Sequence, residues 1–195
     1  ITMTMPDGVV TCNEYDSHNR RIAETKDCNG LKLTTVYTYN VAGDLTATRD
    51  ERGIVTRNSY DILGRLVRRQ QDVNGLNLTA SYAYDANGNL ISTTDHRGTV
   101  TSFTHDAFNR RIAMIQDANG LKLTTDYGFD RLNNQNQVTD PNGVVTITEY
   151  NAFGLPIRTV EDANALNAVT IYAYDNNLNL VAITDANDNA TAYTY

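Results

Sequence analysis

Three histidines are the residues of this chain best suited to general acid–base chemistry or to zinc binding. They are His18, His96 and His105, and each stands alone in the sequence. A zinc protease needs two histidines at close helical spacing, and a triad enzyme needs a serine or cysteine that a histidine can activate. No such motif accompanies the three histidines, so the sequence predicts a protein that is not an enzyme and uses no cofactor.

Alternating acidic and amide side chains at Asp85, Asn87 and Asn89 are similar to the start of a calcium-binding loop. The familiar calcium loop requires glycine at its sixth position and a bidentate glutamate at its last position. Here Gly88 is fourth and His96 stands where the glutamate is needed. We therefore expect no metal site, and we interpret these acids as solvated turn residues.

Two cysteines, Cys12 and Cys28, could form a disulfide. With a hairpin centred on residues 17–18, Cys12 pairs with Ala23 and Cys28 falls opposite Asp7. The two cysteines are then separated by about 16 Å along the strands. A disulfide needs Cα atoms within about 7 Å. We therefore expect free thiols, which would not indicate the compartment of the protein.

Aromatic residues at one repeated position could hold sugar rings by stacking, with Asp and Asn side chains nearby to bind hydroxyl groups. The candidates for carbohydrate binding are Tyr37, Tyr82, Tyr127 and Tyr172. The alternative is that aromatic residues at a fixed strand position pack on one another and build the core. Their constant distance from the turns favours packing, and the carbohydrate role stays open.

The composition favours strands and turns over helices. Thr, Asn and Asp occur 26, 23 and 18 times, whereas Glu occurs only 5 times. Threonine favours strands, and Asn and Asp favour turns. The net charge of −7, without a basic run, gives no electrostatic support for a nucleic-acid partner. No apolar run approaches the ~18 residues that a membrane-spanning helix needs, so we expect no membrane span in this segment.

An internal repeat decides the architecture. An aromatic residue followed by Asp or Asn recurs with alternating spacings of 24 and 21 residues, which gives a super-repeat of 45 residues. We predict a partial repeat over residues 1–14 and eight repeat units in four super-repeats, 15–59, 60–104, 105–149 and 150–194, in one continuous repeat domain. The aromatic positions are Tyr15, Tyr39, Tyr60, Tyr84, His105, Phe129, Tyr150, Tyr174 and Tyr195.

Each unit carries two turn signals, one directly after the aromatic residue and one about half a unit later. Asp at the first turn position accepts a hydrogen bond from the backbone two residues on, and Gly or Asn at the fourth tolerates the left-handed conformation. A leucine at that fourth position, Leu178, would be strained there, so we expect its turn to change type. The structural glycines of the second turns are Gly30, Gly53, Gly75, Gly98, Gly120 and Gly143.

Between the turns, polar and apolar residues alternate with period two, as in residues 31–39, which is typical of half-buried strands. Two strands per unit give roughly seventeen antiparallel strands, and a twisted sheet of that width must curl. The fold class is therefore all-β: antiparallel β-hairpin repeats forming a coiled, curved sheet, an open spiral or shell segment. We predict a bulge in the return strand of each 24-residue unit, near residues 22–26 and 67–71, to absorb its odd extra residue.

The repeated pattern resembles the YD repeat, also called the Rhs repeat. It is carried by Tyr60-Asp61-Ile62-Leu63-Gly64-Arg65-Leu66 and by the equivalent stretch 84–90, and in-phase copies cover essentially the whole chain. The family includes bacterial Rhs polymorphic toxins, the B and C components of insecticidal Tc toxins, and teneurins. The resemblance implies a β-sheet shell, which in the bacterial members encloses a toxin polypeptide.

The chain departs from the toxin members because it lacks the terminal block rich in Asp, Pro and Gly, and its last super-repeat has Ala165, Leu178 and Asp188 where Gly or Asn stands elsewhere. Its one Asp-Pro pair, Asp140-Pro141, stands in an ordinary second turn. The resemblance implies a non-enzymatic structural segment of a secreted or cell-surface bacterial parent, with flanking YD repeats and a toxin cargo as partners. The alternative is a cell-surface adhesion or carbohydrate-binding module with glycan partners.

Both ends of the chain are expected to present a strand edge, near Ile1 and Tyr195. Unpaired edges favour pairing between chains. The sequence therefore predicts end-to-end self-association at high concentration.

Overall fold

The computed structural model describes residues 2–4 and 8–195, and these residues form eighteen strands and no helix. Residues 1 and 5–7, which include Ile1 and the Asp7 expected opposite Cys28, lie outside the described residues. The chain divides into two compact bodies, one up to Tyr84 with Ser92–Thr99 and one of Asp85–Ile91 with Val100–Tyr195.

Within each body the strands follow one another as antiparallel neighbours, as the all-β prediction requires. The strands of the first body are β1 (Thr2–Thr4), β2 (Val10–Tyr15), β3 (Arg21–Lys26), β4 (Leu33–Tyr39), β5 (Leu45–Arg49), β6 (Val55–Tyr60), β7 (Leu66–Gln71) and β8 (Leu78–Tyr84). The residues of β9 (Leu90–Thr94) divide between the two bodies. The strands of the second body are β10 (Val100–His105), β11 (Arg111–Gln116), β12 (Leu123–Phe129), β13 (Gln135–Thr139), β14 (Val145–Tyr150), β15 (Pro156–Glu161), β16 (Ala168–Tyr174), β17 (Leu180–Thr184) and β18 (Ala190–Ala192).

The hairpins of the 24- and 21-residue units differ at three places. β3 has 6 residues and β4 has 7, whereas β5 has 5 and β6 has 6. The second turn spans residues 27–32 in the longer hairpin and 50–54 in the shorter one. The longer hairpin therefore has one extra residue in each strand and one in the turn. We call the hairpin of a 24-residue unit the long hairpin and that of a 21-residue unit the short hairpin.

The prediction that a bulge distinguishes the 24-residue units is wrong, because the bulge occurs in 21-residue units as well. The register shifts between Glu14 and Tyr15, where the partners Ala23 and Arg21 leave Ile22 as the extra residue. Shifts at the same place accompany the first turn in short units as well, as between Thr38 and Tyr39. The bulge belongs to every first turn for which a register is defined, and the longer second turn absorbs the odd residue of the long hairpin.

Three of the second-turn glycines do not adopt the expected left-handed conformation. Gly53 does, with φ +83°, but Gly30, Gly75 and Gly120 do not. A Cβ built on any of these three would overlap the carboxylate of the Asp three residues earlier. Glycine suits this position because the carboxylate occupies the space of a side chain. Ala165 stands at the equivalent position of the fourth long hairpin, and there the Asp162 carboxylate accepts the next N–H at a longer 3.3 Å. The left-handed residues of the turn at 27–32 are its first and last, Asp27 and Lys32.

The prediction of free thiols is wrong, because Cys12 and Cys28 form a disulfide with Cα atoms 6.0 Å apart. Cys12 pairs with Thr25 rather than Ala23, because the bulge and the position of the first turn move the register by two residues. Cys28 lies in the second turn and not on a strand. The backbone N–H of Cys28 donates to the carbonyl of Val10 at 3.0 Å, which brings the turn onto β2.

The described residues bury very little. Only Ala23 and Val160 are buried apolar residues, and no polar residue is buried. The side chains of the strands are mostly half-buried, because each strand contacts only its neighbours in the sheet. The segment is therefore a ribbon held by hydrogen bonds and contacts between neighbouring strands.

Leu178 does not change the type of its turn, so that prediction is wrong. It adopts φ +67°, and its N–H donates to the Asp175 carbonyl at 3.0 Å, as Gly64 does to Asp61. The turn tolerates leucine because the Asp175 carboxylate fixes the other backbone N–H groups of the turn.

Because left-handed leucine is strained, replacing Leu178 by glycine should stabilise the protein by about 1 kcal/mol. Chemical denaturation of Leu178→Gly measures this change. The matched control is Gly88→Leu at the same turn position, which should destabilise by a similar amount. A Leu178→Gly variant that is less stable than the unsubstituted protein would contradict the conclusion that Leu178 is strained.

Candidate functional site

The first turns are built around one side chain that accepts several backbone hydrogen bonds. Oδ1 of Asp16 accepts the N–H groups of His18 and Arg20, both at 2.9 Å. Oδ2 of Asp16 accepts the Nε–H of Arg20 at 2.7 Å. The same arrangement joins Asp61 to Arg65. Asp is suited to this position because its short side chain reaches its own following backbone.

An arginine at the fifth position of the first turn joins that turn to the next one. The guanidinium of Arg20 lies 4.9 Å from the ring centre of Tyr39 and donates to the Asn40 carbonyl at 3.1 Å. Arg65 and Arg110 stack in the same way on the rings of Tyr84 and Phe129, at 4.8 and 4.5 Å. Sequence analysis missed these arginines, although their recurrence every 45 residues could have revealed them.

The tyrosines at the aromatic position tie each first-turn hairpin to the preceding one. The hydroxyl of Tyr39 donates to the carbonyl of Arg21, the first residue of the neighbouring strand β3, at 2.9 Å. We call this contact the tyrosine latch. It recurs from Tyr60 to Leu45, Tyr84 to Leu66, Tyr150 to Gln135 and Tyr174 to Pro156.

Four aromatic positions do not make a latch of this kind among the described residues. His105 and Phe129 lack the hydroxyl, and Nδ1 of His105 is buried without a hydrogen-bond partner in the described part of the chain. Tyr15 is 39% exposed, and Tyr195 is 83% exposed beyond the last strand. His105 fills the place of a tyrosine without supplying its hydrogen bond.

The four carbohydrate candidates lie on four separate strands, β4, β8, β12 and β16. Tyr37 and Tyr82 belong to the first body, and Tyr127 and Tyr172 belong to the second. All four are half-buried. Tyr37 also lies under Arg21, 4.9 Å from its ring centre, and its hydroxyl donates to Glu24 at 3.3 Å. Carbohydrate binding at these residues stays a prediction.

Each of the three histidines lies at a different turn or strand end. His18 and His96 are exposed in turns, and His105 is half-buried at the end of β10. No group of acids, histidines and cysteines suited to a metal ion occurs among residues 2–4 and 8–195. The described residues also contain no helix that could cross a membrane.

The turn carboxylates are held in their charged form. The hydrogen bond from the Arg20 backbone lowers the pKa of Asp16, and the bond from the Arg65 backbone lowers the pKa of Asp61. The Asn179 side chain and then its backbone lower the pKa of Asp175. The pKa also lies below the ordinary value at Asp50, Asp85, Asp95, Asp106, Asp130, Asp140 and Asp185.

Residues 15–54, 39–76 and 84–122 match the family model of the RHS repeat. These stretches together cover just over half of the chain. The chain belongs to the RHS repeat family. No curated protein matches its sequence. The turn carboxylates, the arginine stacks and the tyrosine latches are therefore features of a run of RHS repeats.

Solved structures share the fold of these RHS repeats. The crystal structure of TcdB2-TccC3-TEV matches with a TM-score of 0.79 at 16% identity, over 100% of this chain and 12% of that chain. The Photorhabdus luminescens Tc holotoxin pore with a TccC3 mutation matches with a TM-score of 0.75 at 15% identity, over 94% of this chain and 11% of that chain. TcdB2-TccC3-Cdc42 matches with a TM-score of 0.75 at 15% identity, over 91% and 11%. The chain thus has the fold of a small part of these proteins.

Removing one latch should destabilise the RHS repeats locally. Tyr84→Phe deletes the 3.0 Å hydrogen bond to the Leu66 carbonyl, and a hydrogen bond of this kind contributes about 1 kcal/mol. We expect faster hydrogen exchange at the start of β7 and a lower unfolding midpoint. Tyr82→Phe, on the same strand, is the matched control, because the Tyr82 hydroxyl bonds to no described residue. Equal effects of the two variants would contradict the latch.

The turn carboxylates should make the protein sensitive to acid. Their folded pKa values are lower than those of the unfolded chain, so the folded state binds fewer protons. The stability they contribute is present above about pH 4 and is lost as the pH falls through their folded pKa values. Thermal unfolding between neutral and acidic pH measures this loss. Asp61→Asn should give a flatter profile with the turn intact, since Asn151 already fills that position and accepts both N–H groups. An unchanged profile would refute the assignment.

Proposed function

We propose that this chain is a length of wall in a shell that encloses a toxin polypeptide, and that its role is architectural rather than catalytic. The observation that carries the proposal is the match of the whole chain to a region of TcdB2-TccC3 with a TM-score of 0.79. The matched regions are about one eighth of those chains, so the parent protein supplies the remainder of the shell.

The burial of the ribbon supports a role within a larger assembly. A domain that works alone buries an apolar core, whereas Ala23 and Val160 are the only buried apolar residues described here. Repeat segments gain stability from their neighbours along the chain. Flanking RHS repeats are therefore the first partners of this segment, and the enclosed polypeptide is the second.

The disulfide supports a secreted parent. Disulfides persist in oxidising surroundings and are rare in the cytosol of most organisms. The bond between Cys12 and Cys28 joins a turn to a strand of the wall. It suits a wall that works outside the cell, as a toxin shell does.

Protease protection in the full-length parent tests the proposal. A recognition site for a specific protease is inserted in the exposed second turn at residues 140–144. Cutting there should open the wall and let a general protease digest a polypeptide that the uncut parent protects. The matched control carries a scrambled, uncleavable site in the same turn.

Two outcomes would count against the proposal. One is a parent in which no polypeptide is protected before the cut. The other is a protected polypeptide whose digestion rate is the same in the cleaved protein and the control.

A further inference from the structure

Three arginines of the first body lie in a diagonal row on one face of its sheet. They are Arg49 on β5, Arg57 on β6 and Arg68 on β7. Arg57 pairs with Ala47 on one side and with Gln70 on the other. These two partners lie two residues from Arg49 and from Arg68, so the arginines share a face and neighbouring ones are diagonal partners, about 7–8 Å apart. We call Arg49, Arg57 and Arg68 the arginine row.

The charges of the arginine row are unopposed. All three residues are exposed, and none of them forms an ion pair with another described residue. The adjoining carboxylate of Asp50 is already paired with Arg52 at 3.0 Å. On β4 to β8, all of which are described, no Asp or Glu shares this face. The row is therefore a strip of positive charge on a chain whose net charge is −7.

A row of like charges is an unfavourable arrangement for the fold itself. Like charges on neighbouring strands destabilise a sheet, and mixed charges would keep the surface just as soluble. Two super-repeats further along the chain, Thr139 and Ile147 stand in place of the first two arginines. The third equivalent, Arg158, is paired with Glu149 at 2.8 Å. Since the repeat folds without an arginine row, the row indicates contact with another molecule.

The surface around the row is polar and carries no aromatic ring. Ser59 and Ser81 lie opposite Arg68 on the two neighbouring strands, and Thr79 lies opposite Gln70. The tyrosines of the first body lie on the other face of the sheet. Single-stranded nucleic acids bind by stacking bases on aromatic rings, and duplexes need a broad basic surface. The face therefore favours a polyanion without bases.

The spacing of the row matches an extended acidic peptide. In an extended chain every second side chain points to the same side, at intervals of about 6.8 Å. Three acidic residues at alternate positions can therefore each meet one guanidinium group. Arginine suits carboxylates because its planar guanidinium donates two parallel hydrogen bonds to one carboxylate. A single small anion is too short to reach both ends of the row.

We propose that the arginine row docks an extended acidic segment of another polypeptide, with carboxylates at alternate positions. The segment lies diagonally across β5, β6 and β7, and each carboxylate meets one arginine. Exposed ion pairs are weak and are screened by salt. The contact therefore orients a partner that is already held close by, where a weak site is sufficient. It does not depend on whether the parent encloses a polypeptide.

Titration with short peptides, followed by NMR, tests the docking site. The probe is a peptide in which three Asp residues alternate with Ser. The spacing control has the same composition with its three Asp residues adjacent. At low ionic strength the alternating peptide should shift the amide signals of β5, β6 and β7, and it should bind about threefold more tightly than the spacing control.

Two variants with equal charge separate the row from the general field of the protein. The row variant carries Arg49→Gln, Arg57→Gln and Arg68→Gln. The matched control carries Lys26→Gln, Arg69→Gln and Arg97→Gln, at exposed positions outside the row. The row variant should bind the alternating peptide about tenfold more weakly than the control does. It should unfold at the same temperature as the unsubstituted chain or higher, because repulsion has been removed.

Reversing the charge of the row provides the rescue experiment. A chain with Arg49→Glu, Arg57→Glu and Arg68→Glu should lose the acidic peptide and bind one in which three Lys residues alternate with Ser. Circular dichroism checks that the strands persist in every variant.

Four results would overturn the proposal. One is equal binding of the alternating peptide to the row variant and the matched control. Another is equal binding of the two peptides. The third is an oligothymidylate with three phosphates that binds the row more tightly than the alternating peptide, since that result assigns the row to nucleic acid. The fourth is a row variant that unfolds well below the unsubstituted chain, since that result places the arginines in the stability of the fold.

Discussion

The hydrogen bonds that a turn carboxylate accepts from its own backbone are the interaction on which the rest of the ribbon depends. Asp16 orders the N–H groups of the following residues and also holds Arg20. Once that turn is fixed, the bulge that follows it sets the register of β2 and β3. The register in turn places Arg20 over Tyr39 and Tyr39 against the carbonyl of Arg21. A short side chain thus determines contacts that lie a whole strand away.

Local chemistry explains how much of this fold the sequence predicts. The alternation in residues 31–39 and the spacing of Asp and Gly depend only on neighbouring residues, and they predict the strands and turns correctly. The pairing of Cys12 depends on where a bulge sits, and a bulge leaves no clear mark in the sequence. The reason for glycine at Gly30 could not be predicted from the sequence either, because it is the Asp27 carboxylate, folded back in space, that leaves little room for a side chain. Sequence analysis found the aromatic positions but not the roles of their hydroxyl groups.

A ribbon without a core distributes its stability differently from a globular domain. Each described latch and stack joins one hairpin to the next, so the energy of the fold is a sum of neighbouring contacts. His105 has no hydroxyl group for a latch, so its unit loses one contact with the neighbouring hairpin, and the contacts between distant hairpins are unchanged. Variation at single aromatic positions is therefore tolerated, and the fold persists through the copies that depart from the pattern.

The disulfide has a consequence for how the fold depends on redox conditions. Cys28 docks its turn through a backbone hydrogen bond of 3.0 Å, and Val73, Ala118 and Ala163 make the same bond at 2.8–3.0 Å without any sulfur. The covalent bond is added to a geometry that the backbone already holds. The ribbon can therefore fold before it is oxidised, and reduction would remove a crosslink while the backbone hydrogen bond keeps the turn on β2.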